Sequence, residues 1–494
     1  MDRIVTRSTT QTALFAACWL FCAGSSAQVL NLSQGTDKNA LPEIGVVASD
    51  AISIDKELQI GDVLMRQLRG QAPMLHDPLL QEYVQDLGNR LVVQADNVKF
   101  PFEFFVINNS EINAFAFFGG HIGVHTGLIV QAENESEVAS VLAHEVSHVT
   151  QRHLARSIQA QQKASPLAMA SMFGGLLLAL ANPEAGIAAM QASSAASRQA
   201  SINYTRSNEQ EADRVGMQIL AQAGFDPNAS ASFFQTLAAK YRNRSKPPAF
   251  LLTHPLPESR ISDVRSRAQQ YRVNYVAPNL SFHLAKARIV ARYYHSARHN
   301  ISLFTEQLEK TRGLFQQAAR YGLVLSYLRD EQLEAAQQHL DILLKQDREN
   351  LFYLDTATDI ALAKETPQVA ISLLREQEQR TPRNPVVALN LANALMEDKQ
   401  TAAAIDVLRD FLLVQPEHYL AQQLLADAYR ADGRLLEMHQ SKAEIYAALA
   451  AYDRAIDELH SAYNYASERQ LEKQRIRARI DQFREAQQRL KTLR

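Results

Sequence analysis

The chain is predicted to be mainly α: an α+β domain built around a small sheet, followed by an all-α solenoid. Three observations carry that prediction. Between residues 101 and 125, short runs rich in Phe, Val and Ile are separated by turn residues, the pattern of a few buried strands. On both sides of them apolar residues recur three and four apart, as in amphipathic helices. From about Ser281 glycine becomes scarce and similar helical segments return every 34 residues, the spacing of stacked helix pairs. With 494 residues, 46% of them hydrophobic and 21% charged, the chain is long enough for two or three domains with ample core. The expected division is a leader at 1–27, a first domain at 28–275 and a second at 276–494.

The leader has the make-up of a secretory signal. Arg3 and Arg7 form a weakly basic start, Ala13 to Ala23 is apolar, and Ser25, Ser26 and Ala27 are small, so cleavage is expected after Ala27. The apolar run has eleven residues, against the roughly 20 that a membrane-spanning helix needs. Cleavage is therefore expected over anchoring, with no transmembrane segment in the mature chain. Lipidation at Cys18 or Cys22 is the alternative, and Phe21 directly before Cys22 suits it poorly. Both cysteines and the only tryptophan fall inside the leader. The mature chain then has no structural disulfide and no thiolate metal ligand. Its 49 basic and 52 acidic residues give a net charge of −3, which offers no electrostatic ground for a nucleic-acid partner.

Residues 28 to about 50 read as a linker. Helices follow from Ile54 and from Asp77, where Asp caps and Pro78 fits the first helical position. Pro101 to Asn108 and Asn113 to Phe118 read as strands, Gly119-Gly120 as a turn, and His121 to His125 as a third strand. An edge strand of such a sheet can accept an extended peptide by backbone pairing. A helix starts at Asn134, with Asn134 and Glu137 as a capping box, and is expected to run to about Gln162. Leu167 to Ala181 is an apolar run of fifteen residues, short for a membrane span. It reads as one arm of a packed helical hairpin, placed to serve as a lid.

Inside the helix from Asn134 lies His144-Glu145-Val-Ser-His148. Four helical residues advance about 6 Å and return to nearly the same face, so both imidazoles can ligate one metal ion. This is the H-E-x-x-H zinc pattern, in which the glutamate acts as general base in peptide hydrolysis. Catalytic zinc takes three protein ligands. A third histidine at the H-E-x-x-H-x-x-G-x-x-H spacing is absent, because Gln151 and Leu154 occupy those positions. A carboxylate from a second helix is the alternative, and Ser207-Asn-Glu209-Gln-Glu211-Ala-Asp213 supplies candidates. Glu209 is favoured as the ligand, because Asp213 one turn later can accept a hydrogen bond from the far nitrogen of a ligand histidine or act as proton donor. Glu211 has no such companion in the sequence. His254, between Thr253 and Pro255, has two open readings: an oxyanion donor, or a regulator occupying the fourth metal position at rest.

These segments, with Asn113-Ala-Phe-Ala…Gly120 and His254-Pro…Arg260, occur in an order that resembles the zinc metallopeptidases related to CAAX prenyl proteases and HtpX. The resemblance spans roughly 50 to 270. It implies a zincin-type metallopeptidase domain with one Zn2+ per chain held by His144, His148 and Glu209, Glu145 as catalytic base, and a site role for His254. The strong transmembrane segments of the membrane-embedded members are missing here.

In the second half, Pro382 and Pro416 stand 34 apart, as do Ala370 and Ala404, while Ala335 precedes Ala370 by 35. Glu334 to Leu340, Val369 to Leu374, Ala403 to Leu408 and Tyr452 to Leu459 repeat one local pattern. The segment resembles tetratricopeptide (TPR) repeats, four of them clear, whose stacking makes a concave binding surface. Glu468 to Arg494, with nine basic and four acidic residues, reads as a capping helix with a solvated face. A leader, a zinc peptidase and such repeats together resemble periplasmic proteases of Gram-negative bacteria that act in outer-membrane assembly. That resemblance implies unfolded or misassembled protein substrates, and outer-membrane β-barrel proteins and the barrel assembly machinery as partners through the TPR repeats. The competing function is a TPR chaperone or scaffold with little or no proteolysis.

Overall fold

A computed structural model describes residues 52–162, 195–241, 250–251, 254–255, 258–272 and 275–492, with backbone alone at 160–162, 195–205 and 492. The expected leader, the linker and the apolar run at Leu167 to Ala181 lie outside these residues. Helix α1 (Ile54–Gln71) starts at Ser53, whose side chain accepts the Lys56 amide. Helix α2 (Pro78–Val92) starts at Asp77, whose carboxylate accepts the Leu80 amide, with Pro78 opening the helix. Both follow the sequence expectation, because a short polar side chain offers the first amides the acceptor the helix itself lacks.

Three strands come next: β1 (Glu103–Ile107), β2 (Ala114–Phe117) and β3 (His121–His125). Their order is β1-β3-β2, with β3 parallel to β1 and antiparallel to β2. The β2–β3 turn uses Gly119 and Gly120 at φ +81° and +85°, and a Cβ on Gly120 would lie 2.2 Å from the Pro101 carbonyl oxygen. Only glycine fits there. The two outer edges are treated differently. Along β1, Gln81 donates to the Phe104 carbonyl and Gln85 accepts the Phe104 amide, so α2 side chains occupy the edge. No strand of the described residues covers the outer edge of β2.

Helices α3 (Thr126–Gln131) and α4 (Glu135–Thr150) follow, then α5 (His153–Gln162), α6 (Ala195–Gln222), α7 (Asn228–Tyr241) and α8 (Glu258–Ala268). Almost every residue of α4 is buried, since it lies between α2, α6, α7 and the sheet. Asn134 caps it through the Glu137 amide. The second half of the expected capping box is displaced, because the Glu137 carboxylate takes the amide of Glu133 and the hydroxyl of Ser232. The helix expected to run from Asn134 to about Gln162 is broken after Thr150. Arg152 adopts φ 51°, and its buried guanidinium bonds the Glu57 carboxylate at 2.9 Å and the Ile52 carbonyl at 2.7 Å. This buried pair offsets the strain of a left-handed arginine.

From Leu280 onward the described residues are helices: α9 (Leu280–Tyr293), α10 (Ala297–Lys310), α11 (Leu314–Arg329), α12 (Leu333–Gln346), α13 (Leu351–Ala363) and α14 (Pro367–Arg380). They continue as α15 (Pro385–Glu397), α16 (Thr401–Leu412), α17 (Tyr419–Ala431), α18 (Leu435–Ala448), α19 (Tyr452–Tyr465) and α20 (Gln470–Thr492). The array is consistent with a TPR solenoid. Glu331, Glu365, Lys399 and Gly433 take positive φ at successive 34-residue steps, marking the same turn in each pair. The small residue 34 before Ala370 is Ala336, fully buried like Ala370 and Ala404, so the 35-residue step from Ala335 resolves to 34. Among the described residues no helix is long and apolar enough to cross a membrane.

The array folds back on the first half of the chain. One apolar cluster runs from Leu75 to Val386. Within it the buried Arg288 of α9 bonds Asp77 and Asp355, each at 2.7 Å, and the Tyr321 hydroxyl at 3.0 Å. Near the other end, Arg66 of α1 pairs with Glu417, and His76 stacks on Tyr419. Burial would raise the Asp77 carboxyl, but Arg288 and Arg292 outweigh it and hold the group below its ordinary value. Arg288→Ala strands buried carboxylates and is expected to cost about 3–5 kcal/mol, read as a lower urea midpoint at neutral pH. Because Asp77 is depressed in the fold, its contribution is full above about pH 4 and falls away in acid. The gap between wild type and variant should therefore narrow as pH drops. Equal midpoints at pH 7 would show that the cluster does not depend on this arginine.

Candidate metal centre

Helices α4 and α6 cross at Gly216, where a Cβ would come within 3.0 Å of the His144 backbone nitrogen. That approach sets one turn of α4, bearing His144 and His148, against one turn of α6, bearing Glu209 and Asp213. The His254 amide, from the segment before α8, donates to the Phe250 carbonyl at 2.8 Å, and its ring lies 4.9 Å from that of Phe250.

Four side chains converge: His144, His148, Glu209 and His254 each turn a ligand atom toward one point, all within 4.8 Å of one another. His144 Nε2 is 3.0 Å from His148 Nε2, 3.4 Å from His254 Nδ1 and 3.3 Å from Glu209 Oε2. Glu209 Oε1 is 3.4 Å from His148 Nε2 and 3.1 Å from His254 Nδ1. Donors about 2.0 Å from a tetrahedral ion stand about 3.3 Å apart, so these atoms fit the corners of such a site. The electrostatics also call for positive charge. Burial would lower the pKa of His144, yet Asp213 and Glu209 raise it to about 10. Burial takes His148 the other way, to about 3, leaving it neutral with a lone pair to offer.

The supporting contacts are as specific. Asp213 Oδ1 is 3.1 Å from His144 Nδ1. Arg260 bonds both oxygens of Asp213 at 2.8 Å, reaches Glu209 Oε2 at 2.8 Å and donates to the Pro255 carbonyl at 2.7 Å. The sequence shows Arg260 only as the end of a motif, with no role. Glu145 is fully buried and its pKa is raised by burial, with His254 and His144 opposing. The backbone of Ala116, in β2, faces its carboxylate and also opposes that rise. His254 Nε2 is 3.3 Å from Glu145 Oε1.

His153 is absent from the sequence reading. Its Nδ1 is 2.8 Å from His148 Nδ1 and its Nε2 is 3.1 Å from Glu211 Oε2, which Arg156 also holds at 2.7 Å. Burial pushes His153 down to about 4, so it is neutral. Glu211, without a companion in the sequence, thus has two. On an unbroken helix residues 148 and 153 would point about 140° apart; the break at Arg152 is what brings them together.

A cluster able to hold a metal, on crossed helices beside the edge of a small sheet, is the arrangement a metallopeptidase needs. The model of the family described as Peptidase family M48 matches residues 78–268, from the first residue of α2 to the last of α8. The chain is 44% identical over 465 residues to a protein of Vibrio cholerae named putative beta-barrel assembly-enhancing protease, covering 94% of this chain and 96% of that one. It is 43% identical over 454 residues to the beta-barrel assembly-enhancing protease of Escherichia coli, covering 92% and 93%. Metalloprotease LoiP of Escherichia coli is 26% identical over 252 residues, covering 50% of this chain and 95% of LoiP. The chain belongs to the family of the beta-barrel assembly-enhancing proteases and carries an M48 peptidase domain at residues 78–268.

Gly216→Val is expected to push α4 and α6 apart at a cost of about 1–3 kcal/mol. Because the ligands are divided between those helices, metal retained after dialysis should fall with it. Full metal retention in a folded variant would show that the crossing does not set the register of the ligands.

Proposed function

We propose that this chain is a zinc-dependent endopeptidase of the periplasm that cleaves misfolded or stalled outer-membrane proteins. In this reading the helical array receives the client or the barrel assembly machinery and adds chaperone activity. The observation that carries the peptidase part is the convergence of His144, His148 and Glu209 beside Glu145, under the outer edge of β2. Zinc is favoured by a donor set of imidazoles and one carboxylate with no thiolate. The barrel-assembly part is supported by the names of relatives that match nearly the whole chain at 43–44% identity.

When bound, zinc supplies Lewis acidity toward a scissile carbonyl. The protein's own groups do the rest. The outer edge of β2 pairs with an extended substrate backbone and lays it across the site. Glu145, with its pKa raised by burial, takes a proton from the attacking water and passes it to the leaving amine. Asp213 faces the far nitrogen of His144 at 3.1 Å and steadies its charge, while Arg260 balances the charge of the two carboxylates. His254 completes four protein ligands and faces Glu145 as well, so we assign the arrangement seen here to a resting, self-restrained enzyme.

Glu145→Gln is expected to lower casein cleavage by about 10²–10⁴-fold while zinc content stays at one per chain. Cleavage at the wild-type rate would remove Glu145 as the base. Loss of zinc along with cleavage would make its role structural. His254→Ala is expected to raise proteolysis at unchanged zinc content. A fall would favour the oxyanion role, and an unchanged rate would leave the restraint without support.

A further inference from the structure

We propose that His153 and Glu211 form a relay that positions the metal ligand His148, so that one ligand is steered by a carboxylate through a second imidazole. The inference rests on reading His148 as a ligand and extends the site to residues outside the ligand set.

The two histidines of α4 are supported unequally. His144 turns its Nδ1 directly to a buried carboxylate, Asp213, at 3.1 Å. His148 turns its Nδ1 to the Nδ1 of His153 at 2.8 Å. Two nitrogens at that distance share one proton, and only one assignment satisfies the neighbours. The Nε2 of His148 faces the other ligand atoms and keeps its lone pair, so its Nδ1 carries the hydrogen and donates it. The Nδ1 of His153 accepts, which places the His153 hydrogen on Nε2, where it donates to Glu211 Oε2 at 3.1 Å. The bonds run in one direction from ligand to carboxylate. Each fixes the tautomer and ring plane of the one before, which raises ligand basicity and holds the lone pair on target.

The backbone is built for this contact. Arg152 breaks α4 from α5 in a left-handed conformation and is held there by buried Glu57. Both imidazoles of the relay are largely buried, with side-chain exposures of 15% for His148 and 4% for His153, whereas Glu211 retains 27%. The relay therefore ends near the surface, at a carboxylate whose oxygen Arg156 also holds at 2.7 Å. His153 and Glu211 do not reach the reacting atoms, so they are positioning residues.

The test uses the full chain loaded with zinc or cobalt. Zinc affinity is measured by competition with a chromophoric chelator, and ligand geometry by the cobalt d–d spectrum, for His153→Ala, Glu211→Gln and the double variant. His153→Ala should weaken zinc binding about 10–100-fold and shift the cobalt spectrum. Glu211→Gln should move both in the same direction by less. The double variant should be no worse than His153→Ala, because the relay is cut once. Unchanged affinity and spectrum in both single variants, or additive losses in the double, would overturn the relay. Melting of the metal-free proteins guards against misfolding: if His153→Ala melts early, the more exposed Glu211→Gln decides alone. His148→Ala separates the two readings, since undiminished zinc affinity there would defeat the ligand assignment itself, whatever the relay variants do.

Discussion

Glu209 and Asp213 are two carboxylates removed from water on one turn of α6, and most of the structure around the site answers that fact. A buried carboxylate is tolerated only where donors or cations replace its hydration. Arg260 supplies a forked pair to Asp213 and a further bond to Glu209, and His144 stands between the two. Desolvation pushes both carboxyl pKa values up, yet the surrounding imidazoles and guanidinium hold them below the ordinary range. The site is thus charged before any substrate arrives, with its ligands aimed by contacts that folding has already made. Such pre-organisation is what metal binding and transition-state stabilisation both require.

The helix that carries little chemistry of its own holds the site from outside. α1 offers Glu57 to the break after α4 and Arg66 to the far end of the array. Glu57 is itself a residue of α1, so that pair exists only while α1 is in place; burial raises its pKa, with Arg152 opposing. Position 152 can therefore take its left-handed backbone, and His153 can turn toward His148, only with α1 in place. At the other end α9 ties the array to the cap of α2 through Arg288. The array therefore braces the same two helices that flank the sheet and the metal helix.

What was legible in the sequence is what physics writes at short range. Asp77 and Asn134 cap their helices as expected, because capping needs only a side chain and the next amides. Two pairs at spacing four, His144 with His148 and Glu209 with Asp213, lie on facing turns, since one helical period fixes each pair. The 34-residue repeat extends even to backbone angles, although only Gly433 among the four turn residues is a glycine. What was hidden depends on long-range contacts. Nothing local in Gln151-Arg152-His153 breaks a helix; the break needs Glu57, almost a hundred residues away in sequence. With the helix taken as continuous, His153 faced away and Glu211 had no companion. Arg260 and Arg288 were invisible for the same reason, since an arginine shows its purpose only through the carboxylates that the fold brings to it.

His254 joins the two halves of the site in a way that constrains how it can be relieved. Its Nδ1 stands among the ligand atoms while its Nε2 faces Glu145, so a substrate carbonyl and the attacking water both need space that one ring fills. In the proposed resting state, a single movement of that ring would free the fourth position and the base together. The neighbouring backbone is held by Arg260, whose Nη1 donates to the Pro255 carbonyl and also faces Glu209 Oε2, while Nε and Nη2 hold Asp213. Release of the Pro255 carbonyl would leave the bonds from Arg260 Nε and Nη2 to Asp213 in place. A charge-assisted bond of that kind contributes about 1.5–3 kcal/mol, which favours the arrangement seen here. A client can reverse such a bias only through contacts it makes better in the open form, and a strand laid along β2, beside Glu145, is placed to make them.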